Sequence, residues 1–195
     1  MIVSNYQIHC LFSDLFALLS REFSSYYSLI IHAHEFAKGE DEGSVEFQFR
    51  AMDVKNIDRG FLRLNSTDPF FEISKKYSDP IAGLSKWIPV ARSDYKKDHL
   101  NPYWDPFKID LEELCNCDLK NLVKISLYDW ENSQKHKLVG SVEITVDKLI
   151  KRKTSRGNAD KESAIKIRST EDGTRGPVAY LVVLKADLFR ECEMP

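Results

Sequence analysis

Three features of the 195-residue sequence predict an all-β fold, an eight-stranded antiparallel β-sandwich. The dominant apolar periodicity is two rather than 3.6, eight short apolar runs recur, and turn-rich connections separate them. The first run is Leu29-Ile30-Ile31, closed off by the polar turn Lys38-Gly39-Glu40-Asp41-Glu42-Gly43. Val45, Phe47, Phe49 and Ala51 then alternate with Glu46, Gln48 and Arg50, the pattern of a half-buried antiparallel strand. Further strands are expected at 69–75, 86–92, 105–111, 123–128, 138–146 and 178–184. Three long connections interrupt the series, at 56–67, at 129–137 and at 148–176, the last rich in Lys and Arg with only weak strand or helix signals. Long loops in a compact sandwich are where function concentrates.

The expected organisation is a leader at 1–25, helical or disordered, followed by one domain at 26–190 with a long basic loop at 148–176. Leu11, Phe12, Leu15, Phe16, Leu18 and Leu19 recur at helical spacing and make one apolar face. Residues 10–19 resemble a short signal-peptide core but are not expected to act as one, because Asp14 interrupts them and the first basic residue is Arg21. Hydrophobic residues make up 43% and charged residues 30%, the composition of an ordinary folded protein. With 28 Lys and Arg against 30 Asp and Glu, no overall positive field points to nucleic acid. No apolar run approaches the ~20 residues needed to cross a bilayer.

Catalysis is not expected. None of G-x-S-x-G, G-x-x-x-x-G-K-[ST], G-x-G-x-x-G or H-E-x-x-H occurs. Cys115-x-Cys117 lacks the second close pair of a structural zinc site, and His32-x-His34 has only Glu35 beside it. Asn65-Ser66-Thr67 matches a glycosylation acceptor, a pattern without meaning unless the chain is secreted.

The acids in the first two long connections are the candidate site. Asp68 lies in Thr67-Asp68-Pro69-Phe70, and Asp129-Trp130-Glu131 opens the second loop. Loops at one end of a sandwich lie side by side, and calcium takes about six to eight oxygens that converging carboxylates can supply. The same residues can equally cap turns and sit in solvent.

The strand end Phe49-Arg50-Ala51, Thr67-Asp68-Pro69-Phe70, the run LNPYWDPF at 100–107, Leu114-Cys115-Asn116-Cys117-Asp118, and Leu127–Trp130 followed by Gly140 together resemble a C2 domain. Within that class the match is to the second C2 domain of copines, over about residues 26–188. Copines carry two C2 domains and a von Willebrand A domain, so the resemblance implies the second C2 domain alone. It implies a β-sandwich that binds phospholipid in response to calcium, peripherally at the cytoplasmic face of the plasma membrane.

Carried over residue by residue, Asp68 and Asp129 stand in the family's calcium positions, and Glu131 replaces an aspartate. Leu62 occupies the place of the first loop-one aspartate, with Asp58 nearby as a fourth candidate ligand. Ser133 and Lys137 take the places of further acids. A lysine where a carboxylate belongs reverses the local charge and costs about tenfold or more in cation affinity. Calcium is therefore expected to bind weakly or not at all, with Asp68, Asp129 and Glu131 as the surviving one-ion site.

Phe61 and Leu62 are expected at the tip of loop one, where apolar side chains enter a headgroup region. Lys75, Lys76, Lys86, Arg92, Lys96 and Lys97 lie on or beside neighbouring strands, and residues 147–168, with Lys151, Arg152 and Lys153, carry a net +5. Near an anionic leaflet each such charge contributes about 1 kcal/mol. The alternative is a calcium-insensitive adapter that binds a protein partner through the same sandwich; Lys137 and the missing loop-one aspartate favour it.

Overall fold

The computed structural model describes residues 38–57, 66–78, 83–133, 135–154, 161, 163–169 and 176–190, all but Lys38 in the compact unit Gly39–Pro195. The leader at 1–25 and the strand expected at 29–31 lie outside the described residues. Eight strands are described: β1 (Ser44–Met52), β2 (Pro69–Ser78), β3 (Ser85–Arg92), β4 (Phe107–Asp110), β5 (Leu122–Asp129), β6 (Lys137–Thr145), β7 (Ile165–Ile167) and β8 (Ala179–Phe189). They form two four-stranded sheets, in the orders β4-β1-β8-β7 and β3-β2-β5-β6. All strand pairs are antiparallel, so the predicted all-β sandwich is the observed architecture.

Period-two patterning builds the core between the sheets. Val45, Phe47, Phe49 and Ala51 from β1 are fully buried and meet Phe71, Ile73, Ile125 and Leu127 from the second sheet. Phe49 meets Phe71 edge-on with ring centroids 5.3 Å apart, and Phe71 meets Trp104 edge-on at 5.0 Å. Each such side chain removed from water contributes about 1.5–3 kcal/mol, so this aromatic seam fixes which faces of the sheets meet.

The connections differ from expectation in three places. The strand expected at 105–111 stops at Asp110, whose carboxylate accepts the Glu112 amide hydrogen at 2.7 Å and caps α1 (Leu111–Cys115). The strand expected at 138–146 ends at Thr145, which caps α2 (Val146–Lys151) in the same way. The stretch 148–176, read as one basic loop, contains the rest of α2 and the strand β7. In β7 only Ile165 and Ile167 alternate around Lys166, too short a signal to read, and pairing with β8 supplies the rest. Past β7, Arg168 exchanges backbone hydrogen bonds with Ser141 of β6, joining the edges of the two sheets. Gly140 is required there, since a Cβ would stand 2.5 Å from the Arg168 carbonyl oxygen.

Candidate functional site

Antiparallel order sends the β1–β2, β3–β4 and β5–β6 connections to one end of the sandwich. Asp129, the last residue of β5, stands opposite Pro69 of β2 and Lys137 of β6, and its side chain is fully buried. Its Oδ1 accepts the Asp68 backbone N–H at 2.8 Å. Asp68 Oδ1 accepts the Asp98 N–H at 2.7 Å, and Asp98 Oδ1 accepts the Ser66 N–H at 3.0 Å. Trp130 N–H donates to the Asp68 carbonyl at 3.0 Å. A chain of carboxylate-to-amide bonds therefore ties the three connections together. Charge-assisted bonds of this kind are short and about twice as strong as neutral ones.

Asp68 and Asp129 are thus brought together. Glu131 is drawn elsewhere, into an ion pair with Lys137, while its backbone N–H donates to His136 Nδ1 at 3.1 Å. Asp58, Phe61 and Leu62 lie outside the described residues. Among the described residues no three His, Cys, Asp or Glu side chains are grouped to hold a metal ion. Asp129 and Asp68 each hold a backbone amide through Oδ1, and the Glu131 carboxylate is paired with the Lys137 ammonium.

The expected basic residues separate by role. Lys75 Nζ reaches the far end of the sandwich, 3.3 Å from the Glu112 carbonyl and 3.0 Å from Asn116 Oδ1, and closes the C-terminus of α1. Lys96 pairs with Asp105 at 3.3 Å, Lys151 with Asp147 at 2.9 Å, and Lys153 with Asp187 at 2.5 Å. Arg152 donates to the Ser163 carbonyl at 3.1 Å. The positive charge counted over 147–168 is therefore partly compensated within the fold. Lys76 and Lys97 are exposed.

Sequence reasoning missed the setting of Lys76. Val123, Ile125 and Leu127 point into the core, so Lys124 projects from the opposite, outer face of the sheet. Lys76 stands opposite Trp87 in register, and the Lys124 ammonium lies 4.8 Å from the Trp87 ring centroid. Lys86 on β3 covers the Tyr77 ring at 5.4 Å. None of Lys76, Lys86 and Lys124 forms an ion pair among the described residues, although Glu143 of β6 faces Lys124 in register. The alternation of Val123-Lys124-Ile125 could have found Lys124; its meeting with Trp87 across β2 is tertiary.

A second unexpected cluster sits on the same face at the loop end. Phe70 is buried on the outer side under Tyr128, stacked at 5.3 Å, and under the Arg92 guanidinium, 4.1 Å from its centroid. Tyr95, Trp130 and His136 stack in series, with centroids 4.9 and 4.5 Å apart. Burial first, and the Glu72 carboxylate next, push the Tyr128 phenol above its ordinary value.

Over residues 36–160 the sequence matches the C2 domain family. The solved structure BON1-C2B superposes with a TM-score of 0.60 at 22% identity, over 76% of this chain and 93% of that one. A C2 domain of plant Extended Synaptotagmin 1 aligns at 25% identity over 76% and 97%, with a TM-score of 0.45. Similarity to the first structure is one of fold, two antiparallel sheets in a sandwich. Among the described residues no helix is long and apolar enough to cross a membrane.

Proposed function

Because the chain belongs to the C2 domain family, we propose that it is a non-catalytic phospholipid-binding module of copine type. It acts peripherally at the cytoplasmic face of the plasma membrane, on anionic headgroups, with a degenerate calcium site. The observation that carries this reading is the cationic outer face of β2, β3 and β5, where Lys76 and Lys124 flank Trp87. An indole ring is at home in a headgroup layer, and lysines beside it meet phosphates. Lys97, exposed in the β3–β4 connection, adds to the same attraction. The ion pair between Glu131 and Lys137 supports the degeneracy of the calcium site, because an internal ammonium already occupies the carboxylate. Support for the copine type is the residue pattern at 100–107 and 114–118: Trp104 is buried in the core, and Asn116 and Cys117 take the left-handed backbone that ends α1.

Co-sedimentation with phosphatidylserine vesicles, in calcium and in chelator, tests the reading. Pelleting that persists in chelator and is released by salt is the expected result. Pelleting that requires calcium and disappears in D68N/D129N would restore a calcium switch at Asp68 and Asp129. Absence of pelleting in both conditions would overturn membrane binding and leave the protein-binding adapter, which the Glu131–Lys137 pair also favours.

A further inference from the structure

We propose that Arg92 and His136 form a binding point for a phosphomonoester group, at the loop end of the outer face and separate from the Lys76–Lys124 surface. Two groups of observations lead there. The first is an unresolved meeting of donors. Arg92 Nη2 and His136 Nε2 stand 3.0 Å apart, and His136 Nδ1 faces the backbone N–H of Glu131 at 3.1 Å. A guanidinium and a backbone amide are donors only, and a neutral imidazole has one acceptor nitrogen. The ring therefore accepts from one of them and presents its own N–H to the other. With Nδ1 accepting from Glu131, the Nε2–H meets an Arg92 N–H head-on. Two hydrogen-bond donors side by side are reconciled by a shared acceptor oxygen, and a phosphate oxygen that bridges the two nitrogens from one side accepts from both.

The second is preorganisation without neutralisation. Arg92 is held over the Phe70 ring at 4.1 Å and lies 5.4 Å from the Trp130 ring centroid, while the Tyr95–Trp130–His136 stack fixes the imidazole. Among the described residues no carboxylate comes within ion-pair distance of Arg92; Glu72 stands across the strand pair in register without reaching it. Glu131, whose backbone N–H faces the ring, has its carboxylate engaged by Lys137. Rings hold the cation in place and leave its charge uncancelled, which is how a planar fork is kept ready for an anion. A guanidinium fork plus an imidazole N–H offers at least three converging donors. That number suits the free oxygens of a monoester better than the two of a diester.

The source of the group is separable by experiment. The full chain, carrying 15N in its histidine rings, is titrated with inorganic phosphate at constant ionic strength set by chloride, with H136F identifying the His136 signals. The expected result is a saturable shift of the His136 ring nitrogens towards the Nε2–H form. It is lost in R92Q and about tenfold weaker in R92K, which keeps the charge but not the fork. Unmoved His136 signals in a folded wild-type chain overturn the proposal, and so does an undiminished shift in R92Q. If R92Q disturbs the amide spectrum beyond β3 and the β5–β6 connection, R92K alone decides, and equal affinity there overturns it. Pelleting with phosphatidylcholine vesicles containing phosphatidic acid then assigns the source. Dependence on Arg92 identifies a lipid monoester, and independence with the ring shift intact identifies free phosphate. Binding to phosphatidylserine vesicles is expected to be unaffected by R92Q, so failure of the lysine surface and failure of this site are read in different assays.

Discussion

Asp129 accepts the backbone N–H of Asp68 at 2.8 Å, joining the last residue of β5 to the residue that leads into β2. The carboxylate is fully buried, so this bond is made in a low-dielectric setting and is part of what holds the loop end together. Removing the acceptor leaves the Asp68 amide without it and opens a small void. Asp129→Ala is expected to destabilise the fold by about 2–3 kcal/mol, whereas Asp129→Asn, whose amide oxygen still accepts, loses less. Urea denaturation of the two variants checks the order; equal losses would mean that the hydrogen bond is not what Asp129 contributes.

Calcium is expected to leave vesicle binding unchanged in the wild type, because Lys137 neutralises Glu131. Lys137→Asp removes that ammonium and adds a carboxylate beside Asp129, its neighbour in register. This variant is expected to gain about tenfold or more in calcium affinity, read as a calcium-dependent rise in melting temperature. A variant that stays indifferent to calcium would show that the Asp68 and Asp129 carboxylates are not available to an ion.

Lys75 and Lys76 are adjacent in sequence and do opposite things. Lys75 closes α1, and Lys76 stands on the outer face opposite Trp87. Lys76→Ala and Lys124→Ala are each expected to weaken phosphatidylserine binding by about fivefold, or about 1 kcal/mol, with little change in stability. Lys75→Ala is expected to lower stability by about 1 kcal/mol and leave binding intact. Vesicle titration and thermal melts on the same three proteins separate these effects.

That division also marks what could be read from the chain. Val45-to-Ala51 announces β1 because every second residue is apolar, and the burial follows the letters one for one. Leu122–Asp129 is equally plain. Ile165–Ile167 is not, because two isoleucines around a lysine carry no period until β8 offers an edge to pair with. Asp68 and Asp129 could be placed together from loop order alone, yet nothing local says that their oxygens would hold backbone amides. The Arg92–His136 meeting was invisible for the same reason: its parts come from β3 and the residue before β6, brought together by strand pairing with β2 and β5 between them and by ring stacking.

Cys115 sits on the buried side of α1, and its thiol pKa is pushed up to about 12, chiefly by burial. Raising the pKa disfavours the thiolate, which is the reactive form. The native chain at neutral or mildly alkaline pH is therefore expected to alkylate at Cys115 far more slowly than a free cysteine does. Unfolding in urea restores ordinary reactivity. Peptide mass spectrometry after iodoacetamide treatment follows this cysteine apart from the others; fast labelling in the folded state would contradict its burial.

Asp187 restrains Lys153, and the restraint has a direction in pH. The hydrogen bond from Lys153 is the largest influence lowering the Asp187 pKa below its ordinary value, so the carboxylate is ionised throughout the neutral range. The pair's contribution is fully present above the unfolded-state value of an aspartate and is lost only as the pH falls through the lowered one. At neutral pH, then, Lys153 is held by a partner and is less able to meet a phosphate. Lys185 also approaches Asp187, at 3.8 Å, but its closer partner is Glu46 at 2.6 Å. Asp187→Asn removes one negative charge and releases the Lys153 ammonium. Binding to phosphatidylserine vesicles is expected to strengthen by about fivefold, with the gain abolished by salt. If the variant binds as the wild type does, the residues after α2 do not face the membrane, and the outer face of β2, β3 and β5 carries the attraction by itself.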